Sequence, residues 1–168
     1  PTNNVFTLAV AECMIPEGCD GGTTELVQIG HVGGIAPEER IWSARFVGNR
    51  AYLVTFEIID PLWVIDLSDP TDPVILGELE VPGVSTYIHP VDSDTLLTIG
   101  IGPGPDGLGL DWSMTQVSLF DVSDPTSPTL ADSLQLSPAY EDDYCDEWGC
   151  GWSWSHSEAT YEHKAFTY

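Results

Sequence analysis

One phrase in this chain is written twice. Trp63-Val-Ile-Asp-Leu-Ser-Asp-Pro-Thr-Asp-Pro73 returns as Ser118-Leu-Phe-Asp-Val-Ser-Asp-Pro-Thr-Ser-Pro128, with Asp66 answered by Asp121 after 121 − 66 = 55 residues. Turn chemistry repeated at that spacing marks a structural unit used more than once. Upstream, Val47 to Val54 aligns without gaps to Val91 to Thr98, a separation of 91 − 47 = 44, and a Gly/Pro-rich insertion around Gly100 to Asp111 takes up the difference. A third copy opens at Ser157, where Ser157 to Phe166 resembles Ser43 to Tyr52.

Between these landmarks run short β-rich segments bounded by Gly, Pro, Asn and Asp, with little helical periodicity. Each unit supplies four consecutive strands in ~45–55 residues, the length of one propeller blade. The predicted class is all-β: a β-propeller fragment of four-stranded antiparallel blades, two complete and two partial. Residues 1–32 form the outer half of a blade, 41–80 and 85–136 are complete blades, and 157–168 starts the next, with a first strand over 157–161. A sandwich would not repeat its turns so closely. Propellers typically close with four to eight blades, so the remaining ones are expected from the parent chain or a partner.

The repeated Asp-Pro phrase has a physical reading of its own. Val64-Ile65-Asp66-Leu67 alternates like a half-buried strand, Ser68 and Asp69 can bond the turn backbone, and Pro70 ends the strand by withholding an N–H. Asp66, Asp69, Asp121 and Asp124 could also be read as metal ligands, but recurrence at the same place in successive units favours the structural role.

Against 27 acidic residues stand four basic ones, Arg40, Arg45, Arg50 and Lys164, for a formal charge of −23. Such a surface repels a phosphate backbone, so nucleic acid is excluded as a partner. Basic proteins and divalent cations suit the field, and so does plain solubility in a salty medium. With 42% apolar and 18% charged residues the composition is globular. No apolar stretch reaches the ~18–20 residues of a membrane span.

Four cysteines form two local pairs, Cys13 with Cys19 and Cys145 with Cys150, each in an acidic, Gly-containing stretch. Both pairs read as disulfides, which implies an oxidising compartment: secreted, periplasmic or cell-surface. A four-thiolate zinc site is the competing reading. The Cys145–Cys150 spacing suits a zinc site, the Cys13–Cys19 spacing does not, and the expected topology puts the pairs on opposite faces. Pro1 to Asn4 does not resemble a signal peptide, so the chain is expected to begin inside a longer precursor.

Several stretches carry a family resemblance: Glu39 to Gly48, Asp60 to Pro70, Leu76-Gly77-Glu78-Leu79, Pro82 to Pro90, and His163-Lys164-Ala165-Phe166. In these the chain is similar to the secreted bacterial and archaeal proteins that contain a C-terminal β-propeller domain. The resemblance implies a propeller fold and an extracytoplasmic location, and it carries over no catalytic residues. Glu162-His163-Lys164 departs from the usual Asp-His-Lys of that family, and both cysteine-bearing loops are peculiar to this chain.

In a four-stranded meander, alternate loops emerge on opposite faces. The Asp-Pro turns share one face, and the long insertions Gly100 to Ser113 and Ser137 to His156 share the other, where function is expected. The candidate ligand-binding residues there are Trp112, Trp148, Trp152, Trp154 and His156. Indole rings beside carboxylates suit a sugar, or a cationic group held over the ring. The same tryptophans could instead form a satellite core pinned by Cys145 and Cys150. Asp142, Asp143, Asp146 and Glu147, with Glu141, cluster oxygens of the kind calcium takes, though not at EF-hand spacing. The expected function is a binding or scaffolding module for a glycan or protein ligand. The alternative is a propeller-fold hydrolase or lyase acting on an extracellular polysaccharide or ester, for which the sequence offers only isolated histidines.

Overall fold

In a computed structural model the described residues are 2–12, 24–56, 60–104, 106–107, 109–136, 145–146, 149–150, 157–160 and 162. Ten strands account for most of them, in three antiparallel sheets. The first sheet is a pair, β1 (Asn3–Glu12) with β2 (Thr24–Ile35). The second is the meander β3 (Arg40–Val47), β4 (Arg50–Phe56), β5 (Asp60–Asp66) and β6 (Val74–Val81). The third repeats it with β7 (Val84–Pro90), β8 (Thr95–Pro103), β9 (Leu110–Asp121) and β10 (Thr129–Leu136). The all-β class and the four-stranded antiparallel sheets are those the repeat predicts.

The sheets stack face to face, and the middle one is buried on both sides. Ala51, Leu53 and Ile65 pack with Val5 and Ile35 of the first sheet and with Ala36 just after it. Tyr52, Val54, Leu62 and Val64, alternating with them, pack against Ile88, Leu96 and Phe120 of the third. The period of two therefore explains why β4 is buried without interruption from Ala51 to Thr55: odd residues fill one interface and even residues the other. Each such side chain, once buried, contributes ~1.5–3 kcal/mol. The first strands of successive sheets also touch, and Ser43 Oγ donates to Ser85 O at 2.7 Å from β3 to β7.

Asp66 and Asp121 occupy equivalent places, each ending the third strand of its sheet. Arg50 pairs with Asp66 as Thr95 pairs with Asp121. The turns that follow are copies. Ser68 N and Ser123 N each donate at 2.9 Å to the aspartate two residues earlier. Thr71 donates its N–H and hydroxyl to Asp69 at 2.9 and 2.6 Å, and Thr126 does the same to Asp124 at 3.0 and 2.7 Å. These carboxylates are turn acceptors, as the structural reading of the motif expects.

Each turn also seats on the sheet before it. Gly77 in β6 receives the carbonyls of Pro125 and Thr126, and Gly30 in β2 receives that of Pro70, whose oxygen also accepts from Thr7 Oγ1. Gly30 pairs with Thr7 and Gly77 with Val64, so the two glycines hold the same register position, one residue from a bulge in each fourth strand. In β10 that position, paired with Leu119 beside the same bulge, is Asp132.

Three expectations need correction. The gapless match of Val47–Val54 to Val91–Thr98 is one residue out of step in the second strand, because Ala51 pairs with Ile65 while Leu96, not Thr95, pairs with Phe120. The turn from β3 to β4 closes over Gly48 and Asn49. Between equivalent ladder pairs the β7–β8 connection is one residue longer, with five residues between Pro90 and Leu96 against four between Phe46 and Ala51, and it is tied by Asp92 accepting from Asp94 N at 2.8 Å. The insertion at Gly100–Ser113 is mostly ladder: β8 and β9 extend until Pro103 faces Leu110, and only the tip around Gly107 turns. Glu158–Thr160 is a 3-10 turn, not the start of a strand over 157–161. Thr160 satisfies Ser157 O locally through both its N–H and its hydroxyl, at 3.0 and 2.6 Å, and so removes an acceptor that a strand would offer to a neighbour.

The passage from the second sheet to the third is Pro82-Gly83 alone. Gly83 has φ +94°, a β-carbon there would meet Ile101 O at 2.7 Å, and Gln116 Nε2 holds Pro82 O at 3.0 Å.

Candidate functional site

Alternation of the loops places 48–49, 67–73, 91–94 and 122–128 at one end of the stack, and 36–39, 82–83 and 104–109 at the other. Trp112 lies at the second end, as expected. Between the pairs Ile101–Thr115 and Gly102–Asp111 the ladder register skips three residues of β9, Trp112 to Met114, so this stretch bulges and Trp112 is 54% exposed. Asp111 anchors the bulge by accepting from Ser113 N at 2.9 Å and Ser113 Oγ at 2.6 Å. Those two bonds, the hydroxyl first, hold its carboxyl below the ordinary aspartate value and keep it charged one residue along the strand from Trp112.

The partner of Trp112 is a residue the sequence reading passed over. Trp42 stands on the bulge of β3, where Ile41 pairs with Thr55 and Ser43 with Val54. Its ring centroid lies 6.0 Å from that of Trp112, tilted by 45°, and 6.0 Å from Phe56, edge-on at 83°. Trp42, Phe56 and Leu110 pack onto the core between the second and third sheets. An exposed indole thus rests on a half-buried one that is fixed by the core, and the pair bridges two blades. A signal was available: Trp42 and Phe56 sit at the ends of β3 and β4 that lie beside the insertion.

The remaining candidates divide. Trp148, Trp152, Trp154, His156, Asp142, Asp143, Glu147, Cys13 and Cys19 lie outside the described residues. Cys145–Asp146 and Gly149–Cys150 form a two-residue antiparallel hairpin in which the backbone of Cys145 stands opposite Cys150. Among the described residues no group of three His, Cys, Asp or Glu side chains gathers to hold a metal ion, and no helix is long and apolar enough to cross a membrane.

A recess opens at the other end, between the β3–β4 and β7–β8 turns. It has a volume of about 240 Å³, and Arg50, Tyr52, Asp92, Ser93 and Asp94 are among its lining residues. Arg50 crosses the blade boundary there to donate to Val122 O at 3.2 Å. It also adds to the two Ser68 hydrogen bonds that lower the Asp66 pKa.

A family model described as the β-propeller domain matches residues 1–168, the whole chain. An uncharacterised protein of Methanocaldococcus jannaschii is 41% identical over 151 residues, which is 88% of this chain and 21% of that protein. An uncharacterised protein of Archaeoglobus fulgidus is 41% identical over 104 residues, 62% of this chain and 15% of its own length. The chain therefore spans about a fifth or less of the relatives it matches. No solved structure matches.

Proposed function

The chain belongs to the β-propeller domain family, and on that footing we propose that it is part of an extracytoplasmic binding module whose ligand face bears the insertions at 100–113 and 137–156. The ligand class we assign to that face is a glycan. The observation that carries the reading is the indole of Trp112, held open to solvent on a core-anchored Trp42, one residue along the strand from the charged carboxylate of Asp111. A flat apolar ring covers the C–H face of a pyranose, and a carboxylate accepts from its hydroxyls. The platform belongs to two blades at once, so its geometry is set by their packing and costs little to organise on binding. The extracytoplasmic location is supported by the facing backbones of Cys145 and Cys150, a register in which neighbouring α-carbons fall within reach of a disulfide.

A polysaccharide array probed with the wild-type chain and with Trp112→Ala tests the ligand class. Binding that falls at least tenfold in the variant supports the reading; binding that survives unchanged removes the indole platform from it. Thiol counting on protein refolded under oxidising conditions tests the compartment, with reactive thiols on Cys145 and Cys150 as the adverse result.

A further inference from the structure

The recess between the β3–β4 and β7–β8 turns is walled on both sides by four-stranded sheets. Each turn is tied in the same way to the residue that follows the third strand of its own sheet: Leu67 N donates to Asn49 O and Val122 N to Asp94 O, both at 2.8 Å. Arg50 then spans the gap to Val122 O. The walls are therefore fixed before anything enters, which keeps the cost of ordering them on binding small. Val47, Pro90 and Leu96 give them apolar surface, and Asp92 and Asp94 give one of them two carboxylates. Tyr52 lines the recess while only 3% exposed, and its hydroxyl has no hydrogen-bond partner among the described residues. A phenol buried to that degree ordinarily finds a partner for its polar tip. Here the recess is where one can reach it.

Charge decides the kind of partner. Asp92 stays ionised, held below the ordinary aspartate value by the N–H of Asp94 and then by the hydroxyl of Thr95, and Asp121 stands near enough to oppose its charge. The guanidinium of Arg50 is already matched by Asp66, whose pKa it helps to lower. Arg45, which faces Tyr52 across the ladder, lies outside the lining. An anion would therefore meet uncompensated carboxylates here, within a chain whose formal charge is −23. We propose that the recess binds a small organic cation, with its alkyl stem on Val47, Pro90 and Leu96, its head on Asp94, and one N–H on the Tyr52 hydroxyl. At about 240 Å³ the recess is smaller than the ~300–1,000 Å³ of pockets for drug-sized ligands. That suits a single guanidinium or ammonium group on a short stem, carried by a basic peptide or by a free amine. The site lies at the opposite end of the stack from the glycan face, so the two readings stand or fall separately.

NMR titration of the isotope-labelled chain with n-butylguanidinium, with the capped tripeptide acetyl-Gly-Arg-Gly-amide and with pentanoate tests the proposal. The two cations are expected to shift the amides of the β3–β4 and β7–β8 turns, and pentanoate to leave them in place. Tighter binding of the tripeptide assigns the site to a basic residue of a partner, and tighter binding of n-butylguanidinium assigns it to a free amine. Tyr52→Phe keeps the ring in the core, and Asp94→Asn installs the residue that the second sheet carries at the same place. Each should weaken cation binding about fivefold or more. Tyr52→Phe should do so without lowering the melting temperature, since the hydroxyl it removes has no partner among the described residues. Turns left unshifted by both cations, or equal affinity in the wild type and the two variants, would overturn the site. So would a Tyr52→Phe chain that melts earlier, because the hydroxyl would then serve the core.

Discussion

The carbonyl oxygen of Pro125 lies over Gly77, 2.8 Å from where a β-carbon would stand on that glycine. This contact seats the third blade on the second, and a methyl group there has nowhere to go, because the atoms it meets are turn backbone. Gly77→Ala is expected to destabilise by about 1–3 kcal/mol, the usual cost of overpacking a fixed contact. Asp132 holds the same register position on the uncovered sheet, so Asp132→Ala should change the melting temperature by less than a degree or two. Thermal unfolding of the pair checks both, and equal losses would mean that the cost at Gly77 is one of strand propensity rather than seating.

Arg50→Met removes the bond to Val122 O while keeping an unbranched apolar stem. A partly buried charged donor across a blade boundary contributes about 1–2 kcal/mol, and in a chain of this length that corresponds to a fall of ~2–8 °C. Denaturant titration gives the free energy directly. Arg50→Lys should recover only part of it, since an ammonium is a point charge on a flexible stem.

Asp66, Asp69, Asp121 and Asp124 all titrate below the ordinary aspartate value, each chiefly because a Ser or Thr two residues on donates its hydroxyl and then its N–H. A carboxylate whose pKa is depressed in the folded state contributes stability that is fully present above its unfolded pKa and lost as pH falls through the folded one. The turns should therefore weaken below about pH 4. Neutralising so acidic a chain also relieves self-repulsion, so the informative quantity is a difference. Asp69→Ala/Asp124→Ala should show a shallower decline in melting temperature between neutral pH and pH ~3 than the wild type, and parallel profiles would refute the turn assignment.

Trp112→Ala deletes an exposed ring and should alter stability by no more than ~0.5 kcal/mol. Trp42→Ala, which opens the core side of the platform, should cost several times as much. A thermal scan that ranks them the other way would contradict the anchoring role of Trp42.

The duplicated Asp-Pro phrase made the third and fourth strands of each blade legible, because its Ser, Thr, Asp and Pro residues act within the turn and need no distant partner. The first two strands were harder. Leu97 looks like the partner of Leu53, yet the longer β7–β8 turn moves the register by one, and a single step in a strand carries a side chain to the opposite face. The placement of Trp112 at the insertion end followed from counting strands. Its meeting with Trp42 did not, because it depends on bulges in β3 and β9 that only the assembled ladders reveal. The insertion reads as a loop for a similar reason: Gly and Pro mark turns, but here the two inner strands of the sheet extend their pairing through such residues at the strand ends, as far as Pro103 and Leu110.

The two-residue joint at Pro82-Gly83 sets how such a molecule can change in size. With Gly83 pressed against Ile101 and Pro82 tethered by Gln116, no slack remains between one blade and the next. A residue added or lost there would rotate everything downstream, whereas duplication of a whole unit leaves every junction as it was. Lineages of this chain should therefore differ in circumference by entire repeats, and confine their smaller experiments to the hairpin tips.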